Sequence, residues 1–133
     1  MSAELEPLSI DVTLPREDAV LLTVEGSLDI DTATELQHHL ANQFHHGRRR
    51  FLIDLSAVPF MDSSGMNVLL RSYQEARNVS GSVHVIAPTP AVRRVLDLTG
   101  VSLTVSVSET LDEALTLVDS LQEEEEPTGT PAP

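Results

Sequence analysis

Residues 51–66 read Phe51-Leu52-Ile53-Asp54-Leu55-Ser56-Ala57-Val58-Pro59-Phe60-Met61-Asp62-Ser63-Ser64-Gly65-Met66. From 50 to 55 the chain is largely apolar, the pattern of a short strand at the centre of a parallel sheet covered on both faces. Pro59 interrupts the chain, and a helix is expected from about Ser63. Met66, Leu69, Leu70, Tyr73 and Ala76 would give that helix its core face at helical spacing. The stretch thus runs strand, loop, helix, and places an aspartate and two serines at the helix start. Any helix start favours Asp and Ser, whose oxygens accept from the free N–H groups of the first turn. One cap needs one side chain. This start supplies three, followed by a glycine that leaves the approach open.

Upstream, residues 8–14 alternate apolar and polar, as a half-buried strand does. Residues 15–18 form a turn, and 19–25 read as the second arm of a hairpin ended by Gly26. Asp31 or Thr32 can cap a first helix, and Thr32 and Glu35 have capping-box spacing. Ala33, Leu36, Leu40 and Phe44 make its apolar stripe, and Gly47 stops it. Downstream, Gly81 precedes a strand at 83–86, and Thr89-Pro90 opens a third helix stopped by Gly100. Residues 101–107 alternate strictly, predicting an edge strand with one wet face. A last helix starts near Thr110, boxed by Glu113, and is expected to end about Leu121.

The order is ββαβαβαβα, an α/β fold with a mixed, mainly parallel five-strand sheet, an opening hairpin and about four helices. Residues 1–7 read as an extension, 8–121 as one domain, and 122–133 as a disordered acidic and Pro-rich tail without apolar periodicity. One domain is what 133 residues with 41% apolar and 22% charged content accommodate. There is no apolar run of about 18 residues and no signal-peptide pattern at the start, so a cytoplasmic protein is expected. Zero cysteines exclude disulfides, thiol catalysis and Cys-ligated metals. The net charge of −13 argues against nucleic acid and against anionic membranes.

Asp62-Ser63-Ser64-Gly65, preceded by Phe60-Met61 and a strand ending Asp54-Leu55, resembles the signature of STAS-domain anti-sigma factor antagonists. Gly26-Ser27-Leu28-Asp29, Thr32-Ala33, the run from Pro90 to Leu96 with Thr99-Gly100, and Glu113-Ala114-Leu115 match in the same order. The resemblance spans about residues 8–121. It implies a STAS fold and a non-enzymatic binding protein without cofactor. It further implies that Ser63 is phosphorylated by an anti-sigma factor with serine-kinase activity. The unphosphorylated form would bind that factor and release the sigma factor, and a metal-dependent serine phosphatase would reset the switch. Asp29 matches a family aspartate beside the phosphorylation site. Asp29, Phe60, Met61, Asp62, Ser63, Ser64, Gly65 and Asn67 are the implied partner-binding positions. Asn67 stands where the family usually has glycine, which bears on how closely a partner approaches. Of Phe60 and Met61, one reads as core and the other as docking, and the sequence leaves open which.

Other readings are weaker on chemical grounds. A STAS scaffold of a lipid- or anion-transport assembly would use Ser63 only as a cap. A phospho-aspartate receiver centred on Asp54 needs a lysine, and every cation here is arginine. A serine hydrolase needs a base near its nucleophile, and the motif is not Gly-x-Ser-x-Gly. The pairs His38-His39 and His45-His46 lie roughly 10 Å apart along a helix, too far for one ion. Asp29 and Asp31 are explained by a strand end and a cap, without a cation. Arg48-Arg49-Arg50 lacks the interleaved aromatics of a nucleic-acid site and suits a strand entry beside a helix C-terminus.

Overall fold

The computed structural model describes residues 8–125, with side chains for 8–121. The elements are β1 (Ser9–Arg16), β2 (Ala19–Glu25), α1 (Ala33–His45), β3 (Arg50–Ala57), α2 (Ser63–Asn78), β4 (Ser82–Ile86), α3 (Pro90–Leu98), β5 (Ser106–Ser108) and α4 (Leu111–Glu125). They build one five-stranded sheet in the order β1-β2-β3-β4-β5. β1 pairs antiparallel with β2, and every other pairing is parallel. The hairpin turns through Glu17 and Asp18, with Arg16 opposite Ala19. Its register shifts between Thr13 and Arg16, where Pro15 has no N–H to give to a ladder.

β3 lies in the middle, and Phe51, Leu52, Ile53 and Leu55 are fully buried, as a strand covered on both faces requires. Period-two alternation sends Phe51, Ile53 and Leu55 to one face and Leu52 to the other. A parallel order that advances one strand at a time, joined by right-handed crossovers, puts every connecting helix on the same side. Leu36 and Leu40 of α1, Leu69 and Ala76 of α2, and Val92 and Leu96 of α3 accordingly share a core with Phe51, Ile53, Val83 and Val85. The opposite face would be bare without α4. Ala114 and Val118 of that helix cover Ala19, Leu52 and Ile86, and Arg16 grips Asp119 through two N–O contacts of 3.0 Å.

Three expectations need correction. Residues 101–107 are not one strand: Val101–Leu103 is a 3-10 turn, and β5 keeps only three residues. Val101 and Val105 are buried four apart, while Leu103 between them is 91% exposed, so the spacing was helical and only resembled alternation. α2 buries Gly65, Val68, Leu69, Ser72 and Ala76, which rotates its core face away from Met66, Leu70 and Tyr73; these pack at the margin. Ser72 is tolerated inside because its Oγ donates to the Leu69 carbonyl at 2.8 Å. Finally, α4 continues to Glu125 rather than ending at Leu121, in keeping with the helix propensity of Gln and Glu. The rest of the expected tail, 126–133, lies outside the described residues, as does the extension 1–7.

Within β3, Asp54 Oδ1 accepts from the Ser56 N–H at 2.8 Å, a local structural bond. β3 runs on to Ala57, so Asp54 is paired within the sheet, opposite Thr23 and Ile86, and is not the strand-end residue expected from the sequence. On the α4 side, His84 is buried beside Arg50, and its Nε2 pairs with Ser82 Oγ at 2.8 Å. Burial, and secondarily the Arg50 charge, push the His84 pKa from 6.5 down to about 4. In the unfolded chain the ring protonates below about pH 6.5, whereas in the fold it stays neutral to about pH 4. The unfolded state therefore binds more protons across that window, and stability declines as pH falls. Wild type should lose about 3 kcal/mol more than His84→Gln between pH 7 and pH 4. Urea unfolding at several pH values checks this; parallel pH profiles for the two proteins would contradict it.

Candidate functional site

Beyond the ends of β2 and β3 the chain does not splay apart. Gly26 N donates to Ala57 O at 3.1 Å, Leu28 N to Phe60 O at 2.9 Å, and Asp62 N to Leu28 O at 3.1 Å. Leu28 and Met61 thus form an isolated parallel bridge between two loops. Both side chains are buried. Gly26 enters this path at φ +115°, a backbone conformation open chiefly to glycine. A third element braces the same loop, because Thr89 Oγ1, at the start of α3, donates to Val58 O at 2.8 Å.

α2 begins on this platform. A Cβ at Gly65 would stand 2.9 Å from both Leu28 Cβ and Met61 Cγ. Only glycine lets the first turn settle so closely on the bridged pair. Asp62 is the cap: it is extended, and its Oδ1 accepts from Ser64 N at 2.8 Å. Ser63 is exposed, and its Oγ bonds to no group among the described residues. Reading Ser63 as only a cap is therefore wrong, since its neighbour performs that task. The Ser63 and Gly65 N–H groups at the helix start also have no acceptor among the described residues.

The ambiguity between Phe60 and Met61 resolves cleanly. Met61 is 2% exposed and belongs to the core, whereas Phe60 is 51% exposed. Met61 and Gly65, both expected at the partner-binding face, are buried and support the helix start from beneath. Asp29 is a brace as well: its Oδ1 accepts from Asp31 N at 2.9 Å and from Thr32 N at 3.1 Å. The expected Thr32–Glu35 capping box does not form, and Thr32 makes no side-chain cap bond. Thr32 Oγ1 turns back instead, donating to Ser27 O at 2.6 Å and accepting from Asp29 N at 3.0 Å. Asp29 ties down the turn that leads into α1, bonding Asp31 N and Thr32 N ahead of the helix and not the N–H groups of its first turn.

Sequence reasoning missed Ile30, which is 75% exposed on the loop bridged to that of Phe60. Its signal was an apolar residue set between two aspartates, Asp29 and Asp31. It also missed Arg71. Ile30, Thr34 and Gln37 on the α1 side, and Ser64, Asn67 and Arg71 on α2, line a cleft of about 210 Å³. Ser64 and Asn67 thus face this cleft, next to Ser63. Among the described residues no three His, Cys, Asp or Glu side chains gather to hold a metal ion, and no helix is long and apolar enough to cross a membrane.

This fold and this helix start define a family. A model described as the STAS domain matches residues 12–114, and the chain belongs to that family. It is 32% identical over 111 residues to the anti-sigma-F factor antagonist RsfB of Mycobacterium tuberculosis, covering 83% of this chain and 90% of that one. The structure of an anti-sigma factor antagonist from Mycobacterium paratuberculosis superposes with a TM-score of 0.76 at 32% identity, covering 84% and 94% of the two chains. The fold is also that of SpoIIAA. Its unphosphorylated form superposes at TM-score 0.74 and 22% identity, covering 84% of this chain and 97% of that one. The phosphorylated Bacillus form gives 0.67 at 22% identity, covering 83% and 99%.

Asp29→Ala should cost about 0.5–2 kcal/mol, the usual effect of deleting a capping acceptor. Asp29→Asn keeps an acceptor oxygen and should recover most of that loss. Chemical denaturation of the three proteins reads the difference. An alanine variant as stable as wild type would remove Asp29 from its bracing role.

Proposed function

We propose that this protein is an anti-sigma factor antagonist, a binding protein rather than an enzyme, acting in the cytoplasm. In this reading its Ser63 face docks on an anti-sigma factor that has serine-kinase activity, and docking frees the sigma factor. Phosphorylation of Ser63 by that kinase ends the interaction, and a metal-dependent serine phosphatase restores it. One observation carries the reading: an exposed, unengaged serine hydroxyl stands at a helix start whose capping is done by Asp62. The names of the relatives agree with it, and so does a protein of the same fold known in phosphorylated and unphosphorylated forms.

The physics of the switch is local. Phosphate adds about −1.5 to −2 charges at a helix N-terminus, whose dipole and free N–H groups accommodate them. The fold should therefore survive the modification. Asp62 and the Asp29–Asp31 loop already make this end acidic, so the added charge deepens a negative patch. An interface that buries Ser63 then faces both repulsion and desolvation. Phe60 and Ile30, exposed on the two bridged loops, supply the apolar contact such an interface needs.

Two substitutions separate charge from packing. Ser63→Ala removes a solvated hydroxyl that caps nothing, so stability should change by less than about 0.5 kcal/mol and binding should persist. Ser63→Asp introduces a like charge beside Asp62; a cost of about 3 kcal/mol corresponds to roughly a hundredfold in affinity. Calorimetric titration of the anti-sigma factor with wild type and both variants measures this. Equal affinities for all three would sink the electrostatic switch.

A further inference from the structure

The cleft beside the phosphorylation site has a chemistry of its own. Ser64, Asn67 and Arg71 follow one another at i, i+3 and i+7 on α2, so they form a single strip that runs about 10 Å down the helix. Thr34 and Gln37 of α1 face them across the seam. The lining therefore offers two hydroxyls, two amides and one guanidinium, and no carboxylate. Its volume of about 210 Å³ falls below the roughly 300–1,000 Å³ of small-molecule pockets. The space suits one or two side chains of another protein.

Arg71 is exposed and makes no hydrogen bond or ion pair among the described residues. Arg16 and Arg93, by contrast, are each matched to a carboxylate of this chain, and Arg77 to the Tyr73 hydroxyl. Glu75, one turn further along α2, forms no ion pair with Arg71. A cation left open in a chain of net charge −13, at the wall of a cleft full of hydrogen-bond donors, is complementary to a carboxylate.

We propose that this cleft receives an acidic side chain of the anti-sigma factor, paired with Arg71 and hydrogen-bonded by Asn67 and Gln37. The proposal rests on the Ser63 face being the docking surface, with which the cleft is continuous through Ser64. It assigns the two ends of the interface different tasks. Phe60 and Ile30 around Ser63 supply contact area and the switch. Arg71 supplies discrimination, because the overall negative field of this protein favours basic partner surfaces. A partner that lacks the acid at this one position leaves Arg71 unmatched, and a partner with a cation there is repelled.

The experiment uses the full chain and each anti-sigma serine kinase of the source organism, purified and titrated singly. Arg71→Glu, Asn67→Asp and Ser63→Asp are compared with wild type, with thermal melts as a check on folding. Arg71→Glu and Asn67→Asp should each weaken binding about tenfold to a hundredfold while the melting temperature stays near that of wild type. Replacing the matching acid of the partner by arginine should restore binding to Arg71→Glu. If Ser63→Asp weakens binding while Arg71→Glu and Asn67→Asp bind like wild type, the cleft proposal is overturned and the Ser63 reading stands. If wild type binds none of the kinases, both are overturned.

Discussion

Two buried residues outside any strand, Leu28 and Met61, hold the functional end of this molecule together. Their parallel bridge continues the β2–β3 pairing past the end of the sheet and stops two loops from moving independently. Everything presented to solvent nearby is mounted on that pair. Gly65 lies against both side chains and sets the height of α2. Asp62 leaves the bridge and caps α2 at once. Asp29, next to Leu28, ties down the turn that enters α1. A serine on such a mount has little freedom to lose on docking, which lowers the cost of association.

The sheet topology decides where this mount is. With strands added in one direction, right-handed crossovers stack α1, α2 and α3 on one face, so the starts of α1 and α2 meet at the carboxyl ends of β2 and β3. The seam between these helices is the cleft that holds Arg71. α4 closes the opposite face and contributes nothing to the site. The interior beneath α4 holds His84 buried beside Arg50, with its pKa lowered to about 4. The buried histidine and the proposed docking face thus lie on opposite faces of one sheet.

Much of this was legible in the sequence because the signals were local and strong. The apolar run of β3, the Pro59 break and the polar start of α2 placed the start of that helix to within a residue. Thr89-Pro90 gave the start of α3, with Thr89 accepting from Val92 N. What failed needed three dimensions. Phe60 and Met61 are adjacent in a loop, where no periodicity says which one points inward; the bridge to Leu28 decides it. Asp29 read as a strand-end or capping residue and as a family aspartate, and the turn it braces shows only in its bonds to Asp31 and Thr32. The run 101–107 satisfied alternation and the i, i+4 rule together, and burial of Val101 with Val105 selected the turn. Ile30 and Arg71 are unremarkable one at a time. They matter because packing α1 on α2 sets them along one cleft.

Because the Leu28–Met61 bridge ties the two loops together and a helix start tolerates anions, phosphate is expected to act through charge at the surface and not by reshaping the loops. Amide hydrogen exchange, residue by residue, on the protein before and after phosphorylation of Ser63 tests this most directly. The account predicts that the Leu28 and Asp62 amides, which form the bridge, are equally well protected in both forms while affinity for the anti-sigma factor is lost. Loss of their protection on phosphorylation, by an amount that accounts for the lost affinity, would show that the switch works by unfolding the site and would contradict it.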